Sequence, residues 1–187
     1  PLHPGLAATA QPSFGGDART YMAQLSHIGI LLALHVDGLL PGDDGGTVRL
    51  KSDGRIAVDY PITAPLIEGF RASHEALCRI SFAAGAGEVG TLHNTPLKLR
   101  SEADLPLLDT VPYGAFEHSI FTAHQMGGCG MGSDPAASVV NTRFRHHRVE
   151  NLFVVDGSVL PTALGVNPSQ TIYGLSHYAR QFVLEAL

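Results

Sequence analysis

Apolar residues recur at helical spacing in residues 64–84. The candidates for a buried face are three or four positions apart, which is the repeat of one side of an α-helix. They are Ile67, Phe70, His74, Leu77, Cys78 and Ser81. Pro65 suits a first helical turn, and Gly85 suits the position after a helix. The segment therefore predicts a long amphipathic helix.

The end of the chain shows the same spacing. Apolar side chains fall on one face of residues 168–187, at Ile172, Leu175, Ala179, Phe182, Val183 and Ala186. Asparagine is favoured at the N-cap of a helix, and proline is favoured at the first helical position. We therefore expect a second long helix that begins at Pro168, with Asn167 as its N-cap.

Alternating apolar and polar residues predict a β-hairpin after the first quarter of the chain. Residues 47–51 alternate, and residues 55–60 alternate again. Between them lies the turn sequence Ser52-Asp53-Gly54. Two alternating runs on either side of a short turn are typical of an antiparallel hairpin.

Two compact apolar runs predict further strands. We expect a strand in residues 29–36, and a buried strand of the parallel type in residues 151–156, where the run ends in Asp-Gly. Residues 1–18, rich in Pro, Gly and Ala, predict an irregular lead-in. Residues 91–100 predict an extended segment, and Ser101 predicts the start of a short helix.

The pattern changes near residues 134–136. Before this point the chain has the elements of an antiparallel layer of strands and helices. After it the elements are a strand, a loop and a helix, as in a nucleotide-binding unit. The sequence therefore predicts an α+β fold, with one domain over residues 1–134 and a second segment over residues 135–187.

Charge and cysteine content exclude several classes of function. A net charge of -5, with 12 lysines and arginines and no basic stripe, argues against nucleic acid as a partner. Cys78 and Cys129 are far apart and lack CxxC spacing, so we expect free thiols. No metal site is predicted, because the histidines lack ligand spacing; they include His27, His35, His74, His93, His118 and His177.

Residues 85–90, Gly-Ala-Gly-Glu-Val-Gly, match the dinucleotide-binding pattern GxGxxG. That pattern binds pyrophosphate when a strand precedes the glycines and a helix follows them. Here the predicted helix precedes the glycines and an extended segment follows. We therefore interpret residues 85–90 as a helix C-cap and turn.

Candidate chemistry lies in the last third of the chain. Residues 123–132 read Ala-His-Gln-Met-Gly-Gly-Cys-Gly-Met-Gly, in which glycines allow the main chain to approach a ligand around one histidine. Residues 165–171 read Gly-Val-Asn-Pro-Ser-Gln-Thr and place an amide at the start of the last predicted helix. Each feature alone has an ordinary alternative, a structural histidine in the first case and a helix cap in the second.

Together with Val-Val-Asp-Gly-Ser-Val-Leu-Pro-Thr at residues 154–162, these segments resemble the carboxy-terminal signature of the glucose–methanol–choline (GMC) oxidoreductases. The match covers residues 123–182. Its wording is most similar to the long-chain fatty alcohol oxidase branch. The resemblance implies that the chain is the carboxy-terminal part of such an enzyme. Residues 1–134 would belong to the substrate domain, an antiparallel sheet with helices, and residues 135–187 would add a strand and a long helix to the FAD-binding domain.

The resemblance implies FAD as cofactor and assigns site residues. His124 would lie over the flavin and take the hydroxyl proton of a small-molecule alcohol, a role that suits imidazole with its ordinary pKa near ~6.5. Asn167 would donate a hydrogen bond to the substrate oxygen. The other cofactor-binding residues would be Asp156, Gly157, Pro168, Ser169 and Gln170.

The amino-terminal strand–GxGxxG–helix unit of this family is absent from the sequence. We expect a fragment whose missing FAD-binding region belongs to the same chain, with a separate chain as the alternative. A non-catalytic module that retains the fold without flavin is the competing class. The alcohol, the electron acceptor and the oligomeric state stay open, and a cytoplasmic location is only the default expectation.

Overall fold

The protein is described by a computed structural model, which covers residues 3–38 and 45–187. The chain divides into two compact units. The first consists of Pro1–His35 and Gly46–Phe121, and the second of Val36–Gly45 and Thr122–Leu187. This division falls between Phe121 and Thr122, whereas the sequence pattern placed a boundary after residue 134. The domain roles expected for the two parts stay predictions.

The first unit begins with two helices. Helix α1 spans Pro4–Ala10 and α2 spans Gly15–Ala23, followed by a short 3₁₀ helix at Leu25–His27. Proline at the first position and the His3 ring, which accepts a hydrogen bond from the main-chain N–H of Gly5, start α1. The irregular lead-in expected for residues 1–18 is therefore wrong.

The predicted hairpin is confirmed. Strand β1 (Thr47–Leu50) pairs antiparallel with β2 (Ile56–Asp59). The turn is closed by Asp53, whose carboxylate accepts hydrogen bonds from the main chain and guanidinium of Arg55. One face of the hairpin is apolar and exposed; its members are Val48, Leu50, Ile56 and Val58.

The strand expected in residues 29–36 is wrong. These residues have no regular secondary structure. A strand needs a neighbour to accept and donate its main-chain hydrogen bonds, and the described residues supply no ladder here. Leu32 is 62% exposed and Leu34 is 67% exposed, so these two side chains do not contribute to the core.

The first predicted long helix is confirmed as α3, Ala64–Ala83. Phe70 and Cys78 are buried on its inner face. Gly85 follows in the left-handed region at φ 89°, and the N–H groups of Gly85 and Ala86 donate to carbonyls of the last turn. The glycine-rich residues 85–90 therefore end a helix, as interpreted from their order along the chain.

The residues after α3 form a small second layer. Strand β3 (Val89–Gly90) pairs antiparallel with β4 (Lys98–Leu99), so only the end of the expected extended segment is a strand. A 3₁₀ helix spans Glu102–Thr110, and Ser101 with Asp104 forms its capping box. The core between this helix and α3 consists of Cys78, Leu99, Leu105 and Leu108, with Phe82, Val89 and Leu97 packed against it.

The second unit ends in the second predicted long helix, α4, Ser169–Glu185. Its N-cap is Pro168, and no side chain caps it, so the expectation that Asn167 is the N-cap is wrong. Helix α4 contributes Ala179 to a core that also contains Val140, Phe144 and Val159, and Leu175 and Phe182 of α4 pack against it. Among the residues described, no helix is both long and apolar enough to cross a membrane.

The buried strand expected in residues 151–156 is also wrong. Only Phe153 makes a bridge, with Arg145, and a 3₁₀ helix follows at Gly157–Val159. The apolar side chains nevertheless pack against the core, because Phe153, Val154 and Val155 all contact it. The composition of the run predicted its burial, but a strand also needs a partner over several residues. The fold is α+β, as expected, with its regular sheets confined to the first unit among the described residues.

The core of the first unit gives a stability prediction. Leu99 is completely buried, whereas Leu107 is 44% exposed. We expect Leu99→Ala to lower the free energy of unfolding by about 2–5 kcal/mol, because it leaves a cavity, and Leu107→Ala to lower it by less than about 1 kcal/mol. Urea denaturation of both variants tests this, and equal losses would contradict the core described here.

Candidate functional site

His124 lies in an unusual main-chain conformation. Its φ is 59°, in the left-handed region that non-glycine residues rarely adopt, and Gly127 and Gly128 follow with positive φ. The imidazole is half-buried. Residues held in this region need support from their surroundings, and they cluster at functional sites.

Main-chain hydrogen bonds provide that support. The glycine-rich segment 123–132 lies along the 3₁₀ helix Gly157–Val159. The N–H groups of Gly127, Cys129 and Met131 donate to the carbonyls of residues 157, 158 and 159, at 3.3, 2.9 and 3.0 Å. This ladder fixes the course of the chain that carries His124.

Gly157 is a point of close packing beside this segment. A Cβ added there would lie 3.1 Å from Cδ1 of Ile172 on α4 and 3.2 Å from the main-chain oxygen of Gln125. The position is buried. A side chain at Gly157 would therefore push the His124 segment and α4 apart, and the absence of a side chain allows them to approach.

The structure brings His124 and Asn167 together. Nδ2 of Asn167 lies 3.2 Å from Nε2 of His124. An amide nitrogen can only donate, so this contact fits the neutral tautomer of His124 in which Nε2 accepts and Nδ1 carries the proton. The free electron pair of Nε2 is thus directed to the start of α4.

The first turn of α4 adds free donors to the same place. Ser169 and Gln170 are exposed, Pro168 is buried, and no side chain accepts from the first N–H groups of the helix. These unpaired N–H groups carry the partial positive charge of a helix N-terminus. The mouth of the helix can therefore hold negative charge next to the His124–Asn167 pair.

Asp156 directly precedes the 3₁₀ helix Gly157–Val159 and is its N-cap. Its Oδ1 accepts hydrogen bonds from both the main-chain N–H and the hydroxyl of Ser158, so the carboxylate is held in place and stays exposed. All the residues expected at the site lie in the second unit. Their roles toward a cofactor stay predictions.

A second group of titratable side chains, in the first unit, was not predicted from the sequence. The rings of His74, His93, Tyr113 and His118 contact one another, with centroids 5.0–5.6 Å apart. We call this group the ring cluster. Its members are spaced irregularly along the chain, so no sequence motif predicted the cluster. Within the described residues, no set of three or more His, Cys, Asp or Glu side chains is arranged to bind a metal.

Burial changes the acid–base behaviour of the ring cluster. It lowers the pKa of His93 to about 4, helped by the neighbouring His74 and His118. It also lowers the pKa of His118 and raises the pKa of Tyr113. These side chains are therefore neutral near pH 7.

Comparison of the sequence with known proteins assigns the chain to a family. Residues 41–176 match the family model described as GMC oxidoreductase, for the carboxy-terminal domain. A long-chain-alcohol oxidase of Arabidopsis thaliana is 33% identical over the whole chain, and the match covers 26% of that relative. A second long-chain-alcohol oxidase of the same plant is 32% identical over the whole chain and is covered to 25%.

A cholesterol oxidase of Acinetobacter baumannii is 49% identical over 63 residues, which are 34% of this chain and 11% of the relative. The chain thus spans about a quarter of the length of the alcohol oxidases it matches. The matched residues include His124, Asn167 and the start of α4. The chain belongs to the GMC oxidoreductase family.

Proposed function

We propose that this chain contributes the catalytic residues of an FAD-dependent oxidation of an alcohol to a carbonyl compound. The observation that carries the proposal is the contact between Asn167 and Nε2 of His124 at the uncapped start of α4. The names of the Arabidopsis relatives further suggest that the alcohol has a long chain.

The donor set at the site fits part of a flavin. Asn167 and the free N–H groups of Ser169 and Gln170 would face the polar edge of the ring, and Pro168 would pack beneath it. Asp156 and Gly157 would face the ribityl or pyrophosphate part. When bound, FAD supplies the acceptor for the hydride that leaves the α-carbon of the alcohol.

His124 acts as the base. Because Nε2 accepts a hydrogen bond from Asn167, it holds an electron pair and can take the proton of a substrate hydroxyl at that position. The left-handed main chain of His124 and the ladder to residues 157–159 hold the ring in place before substrate arrives. Little reorganisation is then needed at the moment of proton transfer.

Asn167 stabilises the oxygen that loses its proton. Its amide cannot accept a proton under these conditions, but its N–H can turn from Nε2 to the substrate oxygen as negative charge develops there. The N-terminus of α4 favours negative charge in the same place. His124 thus removes the proton, and Asn167 stabilises the negative charge that forms on the oxygen.

His124→Ala tests the base. In FAD-loaded protein that contains this chain, we expect flavin reduction by a long-chain primary alcohol to slow by roughly 10²–10⁴-fold, because the positioned base is lost. Stopped-flow absorbance measures the rate. The matched control is His177→Gln, an exposed histidine on α4 outside the site. A near-normal rate in His124→Ala would remove this residue from the mechanism, and failure of all variants to bind FAD would favour a non-catalytic module.

Asn167→Ala separates catalysis from stability. Its side chain is exposed and makes no cap bond to α4, so the melting temperature should be nearly unchanged. The rate of flavin reduction should fall by roughly 10²–10³-fold, the usual effect of losing one donor to a developing oxyanion. Loss of stability with an unchanged rate would show that Asn167 is structural.

Gly157→Val tests the packing that holds the pair. The new side chain would collide with Ile172 and the main chain of residue 125, and we expect the free energy of unfolding to fall by about 1–3 kcal/mol. Gly174→Val is the matched control, because nothing lies within 4 Å of a Cβ at Gly174; its effect should be within about 0.5 kcal/mol. Thermal and urea unfolding compare the two, and equal losses would disprove the close approach at Gly157.

A further inference from the structure

The ring cluster consists of residues of the first unit, whereas the residues of the proposed catalytic site belong to the second unit. We propose that it is an acid-sensitive switch, in which protonation of His93 and His118 opens residues 91–118 away from α3 while the chain stays closed near neutral pH. The cluster gathers titratable side chains in the interior of the first unit, and among the described residues no group of three or more His, Cys, Asp or Glu side chains is arranged to bind a metal.

The cluster joins two parts of the unit. His74 lies on α3, while His93, Tyr113 and His118 come from residues 91–118. The His74 ring lies 5.1 Å from His93 and 5.3 Å from His118, measured between centroids. A change that weakens the ring contacts therefore also weakens the packing of residues 91–118 against α3.

Two nitrogens of the cluster have no hydrogen-bond partner among the described residues. His93 is 1% exposed and His118 is 7% exposed, and Nε2 of each is buried without a hydrogen bond. The other nitrogen of His93 is bonded to the hydroxyl of Thr91 at 3.0 Å. A charged His93 would therefore carry a buried N–H with nothing to accept it, which is strongly unfavourable.

Carboxylates lie near the cluster, but none of the hydrogen bonds described for its histidines reaches one. The known hydrogen-bond partners of the three histidines are neutral: the Thr91 hydroxyl, the Phe70 carbonyl and the main chain of Ser119. The titratable and charged groups that face the cluster are Arg71, Glu75 and Cys78 on α3, Asp109 and Glu117 on the following segment, and His35 before the hairpin.

Arg71 and Asp109, two of these charged groups, form an ion pair with each other. The Arg71 guanidinium lies 4.7 Å from the centre of the Tyr113 ring and 3.8 Å from the carboxylate of Asp109. Glu117 favours a charged His118, but its influence is smaller than those of burial and of the neighbouring His74. Once His93 and His118 are both protonated, their like charges repel each other, because the ring centroids lie 5.3 Å apart.

The direction of the pH dependence follows from the lowered pKa values. The folded-state pKa of His93 is about 4, below the value of about 6.5 in an unfolded chain. A group of this kind contributes its full stability above the unfolded value, and that stability is lost as the pH falls toward the folded value. The closed form of the first unit should therefore weaken between about pH 6.5 and about pH 4.

Hydrogen exchange of the whole chain tests the switch. Between about pH 7 and about pH 5, after correction for the intrinsic effect of pH, the opening constant of α3 and residues 91–118 should rise roughly 20-fold from His93 alone. Peptides from α4 should not change in parallel. A parallel rise in α4 would show global acid unfolding and overturn the proposal.

A pair of variants assigns the effect to the cluster. His93→Gln removes the titrating ring and should abolish most of the acid-induced rise, whereas His177→Gln, on the exposed surface of α4, should leave it intact. An acid response in His93→Gln as large as that of the unmodified chain would overturn the proposal.

If His93→Gln does not fold, titration of the histidines in the unmodified chain tests the proposal instead. The ring protons of His93 and His118 in the unmodified chain are followed by NMR as the pH is lowered. Both should stay neutral well below the ordinary histidine pKa until residues 91–118 open. Titration of His93 at or above the ordinary value would contradict the switch.

Discussion

The contact between the amide of Asn167 and Nε2 of His124 is the interaction on which the candidate site depends. It joins the glycine-rich segment to the start of α4, two regions well separated along the chain. For the contact to form, the segment must follow the 3₁₀ helix Gly157–Val159, and α4 must pack closely enough to exclude a side chain at Gly157. The core of Val140, Phe144, Val159 and Ala179 holds both in register.

The proximity of His124 and Asn167 could be predicted from short motifs, whereas their roles stay predictions. A histidine among glycines and an asparagine before a proline identified the two side chains, and their order along the chain suggested the family. The sequence could not show that Asn167 uses its amide on His124 and not as a helix cap, because both uses suit the same residue type. It also could not show the left-handed main chain of His124, which depends on tertiary hydrogen bonds.

In the fold, too, elements that depend on neighbouring residues were predictable, whereas elements that depend on distant residues were not. Helices α3 and α4 and the hairpin were predictable, because their period and turns are local. The runs at residues 29–36 and 151–156 have strand composition but no ladder, since a strand depends on a partner elsewhere in the chain. The ring cluster escaped prediction for the same reason: its rings meet only when residues 91–118 fold onto α3.

The protonation of His124 tests the account most directly, because the proposed base must present an unprotonated Nε2 to the substrate position. Two-bond proton–nitrogen NMR of the ring, in the chain near neutral pH, distinguishes the two neutral forms. We predict that the proton resides on Nδ1 and that the Nε2 resonance shifts when the amide of residue 167 is removed. A proton on Nε2, indifferent to residue 167, would contradict the account.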